Sequence, residues 1–234
     1  LQERDRIVAF LTPEYGQKRG VAQGARGKFS RFAGRLQPLD RVRVRWAEKE
    51  HRELVRISEV ETLRPAAALQ ADLEGILIGA YLAEHMTQFT QDGEVSEPLY
   101  RLLDTTTDAL LDGLDRDLAA RYVEIWVLRL SGILPIPREC PLCDRPILDR
   151  ARLLDAEGAI ICPDCGHGHR STVIRGEVLA FLRRSGRENL STLAADPPPR
   201  SALRGTEELC GRVRRHFLQS ELKSYRVMRD TLGL

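Results

Sequence analysis

The sequence predicts a multidomain α+β protein in three parts: an N-terminal β-barrel, an α-helical bundle domain, and a four-cysteine ribbon inserted in the helical domain. Three observations lead there. Over about the first sixty residues, apolar and charged side chains alternate between glycine-rich connections. From Pro65 the apolar spacing changes to three and four residues, and two CxxC pairs lie between Cys140 and Cys165. The expected boundaries are 1–64 for the barrel, 65–137 with 173–234 for the helical domain, and 138–172 for the cysteine module.

In the first part, Ile7 to Leu11 is a short apolar run between Arg4-Asp5-Arg6 and the turn signal Thr12-Pro13-Glu14-Tyr15-Gly16. Val42, Val44 and Trp46 alternate with Arg41, Arg43 and Arg45, which is the period of a half-buried strand. One face of that strand enters a core, and the other is a row of guanidinium groups. Leu54 to Val60 pairs back as the next strand. Several short antiparallel strands in so small a module favour a closed barrel, since closure removes exposed edges.

Beyond Pro65, Leu69, Leu73, Ile76, Leu77 and Ala80 predict one apolar helical face. A second helix opens at Ser96 to Pro98 and carries Leu99, Leu102, Leu103, Leu110 and Leu111. A third runs from about Arg116 to Leu130 and stops before Gly132 and Pro135. After the cysteine module, Val178 to Leu182 is helical, and Asp196-Pro197-Pro198-Pro199 is a stiff linker. The last helix places Leu209, Val213, Phe217 and Leu222 on one side, with Arg212, Arg214, Arg215 and Lys223 elsewhere. Cys210 falls on its apolar side, which points to core packing.

Cys140, Cys143, Cys162 and Cys165 form CxxC, eighteen residues, then CxxC, the spacing of a four-thiolate zinc site. A two-residue gap turns both sulfurs of a pair to the same side of a tight turn. Pro141 and Pro163 inside the pairs and Gly166 after the second suit metal-binding knuckles. His167 and His169 could replace a ligand, but four thiolates fill the shell. A closed shell leaves no position for water, so the zinc is expected to be structural and the protein not to be an enzyme. His51-Arg52-Glu53 is a formal HxE, yet neither CxxC directly follows a Pro as the deaminase pattern requires. No HExxH occurs, and Gly27-Lys28 lacks the rest of a P-loop.

The 234 residues and 42% hydrophobic content suffice for two or three compact units. No apolar run approaches a membrane span and no signal segment opens the chain, so with reduced cysteines a cytoplasmic location is expected. Leu1 is not an initiator Met. A few native residues are therefore expected to be missing, which leaves the first barrel strand open. The net charge of +2 hides an uneven distribution. Lys18, Arg19, Arg26, Lys28, Arg31, Arg35, Arg41, Arg43, Arg45, Lys49, Arg52 and Arg56 are opposed only by Asp40, Glu48, Glu50 and Glu53. The stretch 92–124 reverses the balance, with Asp92, Glu94, Glu97, Asp104, Asp108, Asp112, Asp115, Asp117 and Glu124.

The basic segment from Gly16 to Arg35 is the second informative feature. Glycines let backbone approach a ligand closely, and the Lys and Arg side chains offer donors to phosphate oxygens. Nothing acidic within it neutralises those charges. The candidate DNA contacts are Lys18, Arg19, Arg26, Lys28, Arg31, Arg35, Arg41, Arg43 and Arg45. Phe29 and Phe32 could stack on bases, although each taken alone is better read as core.

Asp5-Arg6-Ile7-Val8, Leu11-Thr12-Pro13-Glu14-Tyr15-Gly16, Ala25-Arg26-Gly27 and Gly34-Arg35-Leu36-Gln37-Pro38-Leu39 closely resemble the amino-terminal signature of the bacterial RecO recombination mediators. The order of basic barrel, helices, Gly-Ile-Leu-Pro at 132–135 and CxxC pairs is similar to that family along nearly the whole chain. The resemblance implies an OB-fold that binds single- and double-stranded DNA. It also implies annealing of complementary strands without ATP, remodelling of single-strand binding protein, and loading of RecA together with RecR. The carry-over by motif reaches Arg26 and the Arg31 to Arg35 region; the remaining cations are read from charge. Some family members lack the cysteines, in keeping with a structural metal. A different reading is a zinc-ribbon scaffold for protein assembly whose nucleic-acid binding is incidental.

Overall fold

The computed structural model describes residues 3–49, 51–134, 136–154 and 158–233. Leu1, Glu50, expected among the acids opposing the basic run, and Pro135, expected beyond a helix end, lie outside the described residues. The protein is mixed α+β, with an N-terminal sheet followed by helices and a small second sheet. Contacts divide it into two compact units, Leu1–Leu111 with Ser224–Leu234, and Asp112–Lys223. This division groups the first two helices with the N-terminal sheet, unlike a segment-by-segment reading.

In the first unit, β1 (Arg6–Thr12), β2 (Gly16–Ala22), β3 (Arg41–Ala47) and β4 (Val55–Arg64) form a sheet in the order β1-β2-β4-β3. β1 and β2 are an antiparallel hairpin whose turn is closed by Thr12, which donates to the Gly16 carbonyl at 3.1 Å. Gly16 has φ +65°, and a Cβ there would sit inside the Glu94 carbonyl. Both the turn and the close approach therefore require glycine. The expectation of antiparallel pairing throughout is corrected at one junction, because β2 and β4 pair in parallel from Gly20↔Val55 to Ala22↔Ile57. The long β2–β3 connection and β3 itself intervene, so β4 returns in the direction of β2. β3 and β4 are antiparallel, with a register shift between Arg45 and Trp46. Ala22, Phe32, Ile57 and Val60 form the buried core, with Val8, Phe10, Val42 and Val44 packed against it.

A 3-10 turn (Ala67–Gln70) leads to α1 (Leu73–Phe89), whose start is capped by Asp72 accepting from the Gly75 N–H at 2.8 Å. The apolar face expected here is rotated. Leu73, Ile76 and Ala80 are exposed, while Leu77, Ile78, Tyr81, Leu82, His85 and Met86 are buried. This helix is apolar around most of its circumference, so spacing alone did not select the face. α2 (Glu97–Leu111) buries Leu99, Leu102 and Leu110 as expected. The C-terminal α7 (Lys223–Leu232) also belongs here. Tyr225 lies 5.6 Å from Tyr81 between ring centroids, and the Ser224 N–H donates to Glu84 at 2.7 Å.

The second unit opens with α3 (Arg116–Leu130), capped by Asp115. A three-stranded sheet, β6-β5-β7, follows from β5 (Ala151–Leu154), β6 (Ile160–Ile161) and β7 (Ser171–Ile174). Then come α4 (Gly176–Ser185), a six-residue α5 (Leu190–Ala195) and α6 (Arg200–Leu218), which packs on α3 and α4. The single last helix expected from sequence is two helices, α6 and α7, broken at Gln219 in the left-handed conformation. Cys210 is fully buried, as expected, whereas Phe217 is exposed and Arg214 is buried. Arg214 is admitted because it pairs with Glu221 at 2.7 Å, while on α3 Arg121 pairs with Glu124 at 2.9 Å and reaches Glu207 at 2.7 Å. Partners of opposite sign offset the cost of desolvating these charges.

Candidate nucleic-acid interface and metal centre

The β2–β3 connection starts at buried Ala22 and is pinned again by Phe32, which is 3% exposed in the sheet core. Between and around these anchors the backbone folds as successive tight turns. Gly27 N–H donates to the Gly24 carbonyl, Ser30 N–H to Gly27, Ala33 N–H to Ser30, and Arg35 N–H to Phe32, each at 3.0–3.1 Å. Two further bonds tie the loop to the segment before β1. Arg26 N–H donates to the Arg4 carbonyl at 3.0 Å, and Gly24 N–H donates to the Asp5 carboxylate at 3.0 Å. Gly24 has φ +69° with open space around it, so conformation is what calls for glycine there.

Arg26, Lys28, Arg31 and Arg35 all project from this loop and are exposed. No carboxylate among the described residues pairs with any of them. Arg35 is steadied by donating to the Val60 carbonyl at 3.2 Å, and the Arg31 guanidinium lies 4.9 Å from the Phe32 ring centroid. Arg19, exposed on β2, likewise has no carboxylate partner among the described residues. Phe29 departs from the core placement expected of it, being 93% exposed beside Lys28. Leaving such a ring in water forgoes roughly 1.5–3 kcal/mol of burial.

The other candidate cations are matched by acids. Lys18 meets Glu48 at 3.1 Å and holds that carboxyl below its usual range through a hydrogen bond. On β3, Arg43 meets Glu61 at 2.6 Å and Arg45 meets Glu59 at 3.0 Å, acids supplied by the antiparallel β4. Arg41 makes a two-pronged contact with Asp104 of α2 and reaches Asp108 at 3.2 Å, beside Arg64, which pairs with the same two carboxylates. The hydrogen bond that Arg41 donates to Asp104 raises the Arg41 pKa further. The row of guanidinium groups expected on β3 is therefore a row of ion pairs. Sequence reading missed this because the acids are distant in the chain, although Glu59 and Glu61 alternate with the same period of two.

In the second unit, the Sγ atoms of Cys140, Cys143, Cys162 and Cys165 all lie within 4.8 Å of one another. None is in a disulfide, and Cys143 and Cys162 are 3.7 Å apart. Cys140 N–H donates to Arg145 at 2.9 Å and Asp144 N–H to Cys140 at 2.8 Å, with Asp144 in the left-handed region, which bends the first knuckle. Cys165 N–H points to the Cys162 sulfur at 3.5 Å in the second. This set can hold a metal ion. His167 and His169 are exposed and stand outside it.

Arg145 is a residue the sequence reading missed. Its Nε lies 3.4 Å from the Cys143 sulfur and its Nη1 2.8 Å from Asp164, so one guanidinium links the two knuckles. Its hydrogen bond lowers the Cys143 pKa to about 6, whereas Cys165, a thiol hydrogen-bonded to the Cys143 and Cys162 sulfurs, is pushed up to about 12. An Arg two positions after the first CxxC and an Asp inside the second were the available signal.

Residues 1–66 match the family pattern described as Recombination protein O N terminal, and residues 70–226 match Recombination protein O C terminal. The chain belongs to the RecO family. This RecO-family chain is 31% identical over 233 residues to a DNA repair protein RecO of Anaeromyxobacter sp. (strain K), covering 99% of this chain and 91% of that protein. It is 32% identical over 225 residues to the DNA repair protein RecO of Myxococcus xanthus, covering 95% and 89%. With the corresponding protein of Koribacter versatilis it shares 27% over 219 residues, covering 94% and 86%. Membership sets the chain among recombination and DNA repair proteins. No helix among the described residues is long and apolar enough to cross a membrane.

Proposed function

We propose that this chain binds single- and double-stranded DNA through the β2–β3 loop and anneals complementary strands without ATP. With RecR it then helps load RecA onto DNA coated with single-strand binding protein, in the cytoplasm at the nucleoid. The observation that supports this reading is the set of exposed cations on an anchored loop, Arg26, Lys28, Arg31 and Arg35, none facing a carboxylate among the described residues. Such groups bind phosphate oxygens without reading sequence. Two single strands repel each other, and a protein that neutralises phosphates while leaving base edges free lowers that barrier. No covalent bond changes, so the activity calls for no catalytic residue.

The metal in this reading is zinc, held by Cys140, Cys143, Cys162 and Cys165 in a structural role. Four sulfurs about 2.3 Å from a tetrahedral zinc stand about 3.8 Å from each other, close to the 3.7 Å between Cys143 and Cys162. Binding would supply about 10 kcal/mol or more to the folding of that module.

The test mixes labelled complementary strands coated with single-strand binding protein, without nucleotide, and follows pairing. Acceleration over spontaneous annealing is expected. A rate equal to the protein-free rate overturns the reading.

A further inference from the structure

Among the described residues, Phe29 is the large apolar side chain most open to solvent, at 93%. Scattered exposed apolar residues are ordinary, so exposure by itself assigns nothing. Three further observations concern this ring. The loop that carries it is held by consecutive turn bonds and by buried Phe32, so the ring is presented from a pinned backbone. Lys28 Nζ stands 5.8 Å from its centroid. The exposed cations Arg26, Arg31 and Arg35, which face no carboxylate among the described residues, stand on the same loop. The two aromatics of the loop thus divide their tasks: Phe32 anchors and Phe29 faces water.

The geometry points to Phe29 as a stacking platform for an unpaired nucleobase, which gives the loop a preference for single-stranded over paired DNA. This rests on the DNA-binding reading and adds which form of DNA the loop selects and by which atoms. A base in a single strand can turn its flat face onto an aromatic ring, whereas in a duplex both faces are covered by neighbouring pairs. The loop cations bind the phosphates of either form alike. Face stacking also leaves the Watson–Crick edge free, so a base held on Phe29 can still find its complement. Once paired it leaves the ring and rejoins a duplex stack, which lets product go.

The experiment is a cycle on the full chain. Wild type, Phe29→Ala, Phe29→Leu and Phe29→Trp are each titrated with a single-stranded oligonucleotide, the same strand with abasic sites throughout, and a duplex of equal length. Wild type is expected to bind the natural strand about tenfold more tightly than the abasic one. Phe29→Ala and Phe29→Leu should lose that factor on the natural strand, bind the abasic strand and duplex within about twofold of wild type, and no longer sense the bases. Phe29→Trp should keep the discrimination. Equal affinity of Phe29→Ala and wild type for the natural strand overturns the stacking role alone, as does an equal loss on strand and duplex. Absence of wild-type binding to every DNA overturns this inference together with the function it rests on. Because Phe29 is exposed, the variants are expected to fold, and their duplex affinity confirms it.

Discussion

The β2–β3 loop carries four of the candidate cations and strand β3 three, yet they face different surroundings. On β3, each arginine has an acid opposite it: Glu61 for Arg43, Glu59 for Arg45, Asp104 and Asp108 for Arg41. On the loop, Arg26, Lys28, Arg31 and Arg35 face solvent without such partners among the described residues. Strand pairing causes the difference for Arg43 and Arg45, since antiparallel β4 sets Glu61 and Glu59 directly opposite them. Arg41, which faces Arg64 across the strands, takes its acids from α2, and the loop has neither neighbour. A count of cations therefore does not locate a field. What locates it is the count left after pairing.

The largest effect that could break this comparison is charge reversal on the loop. Arg26→Glu with Arg35→Glu should weaken binding to single strands about a hundredfold at moderate salt, whatever the sequence, measured by fluorescence anisotropy. Next in size is Arg41→Ala, which should act on folding. Removing it leaves Asp104 and Asp108 short of a half-buried partner, and a loss of about 1–3 kcal/mol in urea denaturation is expected, with DNA affinity of the folded protein nearly unchanged. A fall in affinity without a fall in stability would move Arg41 into the interface.

The metal module sharpens the comparison from outside. Arg145→Ala should lower metal affinity about tenfold in competition with a chelator, because the guanidinium that bonds the Cys143 sulfur and Asp164 is lost. DNA affinity should stay within about twofold, since the loop lies in the other unit. The smallest effect belongs to Arg43→Gln with Arg45→Gln. Exposed pairs contribute little to stability, and their cations are already offset, so both stability and DNA affinity should change by less than about twofold.

Much of this was legible where short-range chemistry decides. Alternation gave β3, the apolar run before the Thr12 to Gly16 turn gave β1, apolar spacing gave α3 from Arg116 to Leu130, and the CxxC spacing brought four sulfurs together. By contrast, β2 lay unseen inside the glycine-rich basic segment. Long-range partners were less visible. The parallel β2–β4 pairing depends on how an intervening strand returns, and burial of Arg214 depends on Glu221 beyond a helix break. α5 is too short to show a period, and α1 too apolar to declare its face. In the candidate interface, sequence marked the basic stretch but could not separate Arg26, Lys28, Arg31 and Arg35, unpaired with acids among the described residues, from the acid-paired Lys18, Arg41, Arg43 and Arg45. Nor could it distinguish exposed Phe29 from buried Phe32, since three residues of an irregular loop carry no periodicity.

The salt dependence of single-strand binding tests the central claim most directly. Log affinity against log salt is measured for wild type, for a variant with Arg26, Lys28, Arg31 and Arg35 changed to Gln, and for Arg43→Gln with Arg45→Gln. If the loop cations hold the phosphates, the slope falls by about 0.7 for each loop residue removed, near 3 in all, and hardly moves for the strand pair. An unchanged slope for the loop variant, or an equal fall per residue in the strand variant, would contradict the account.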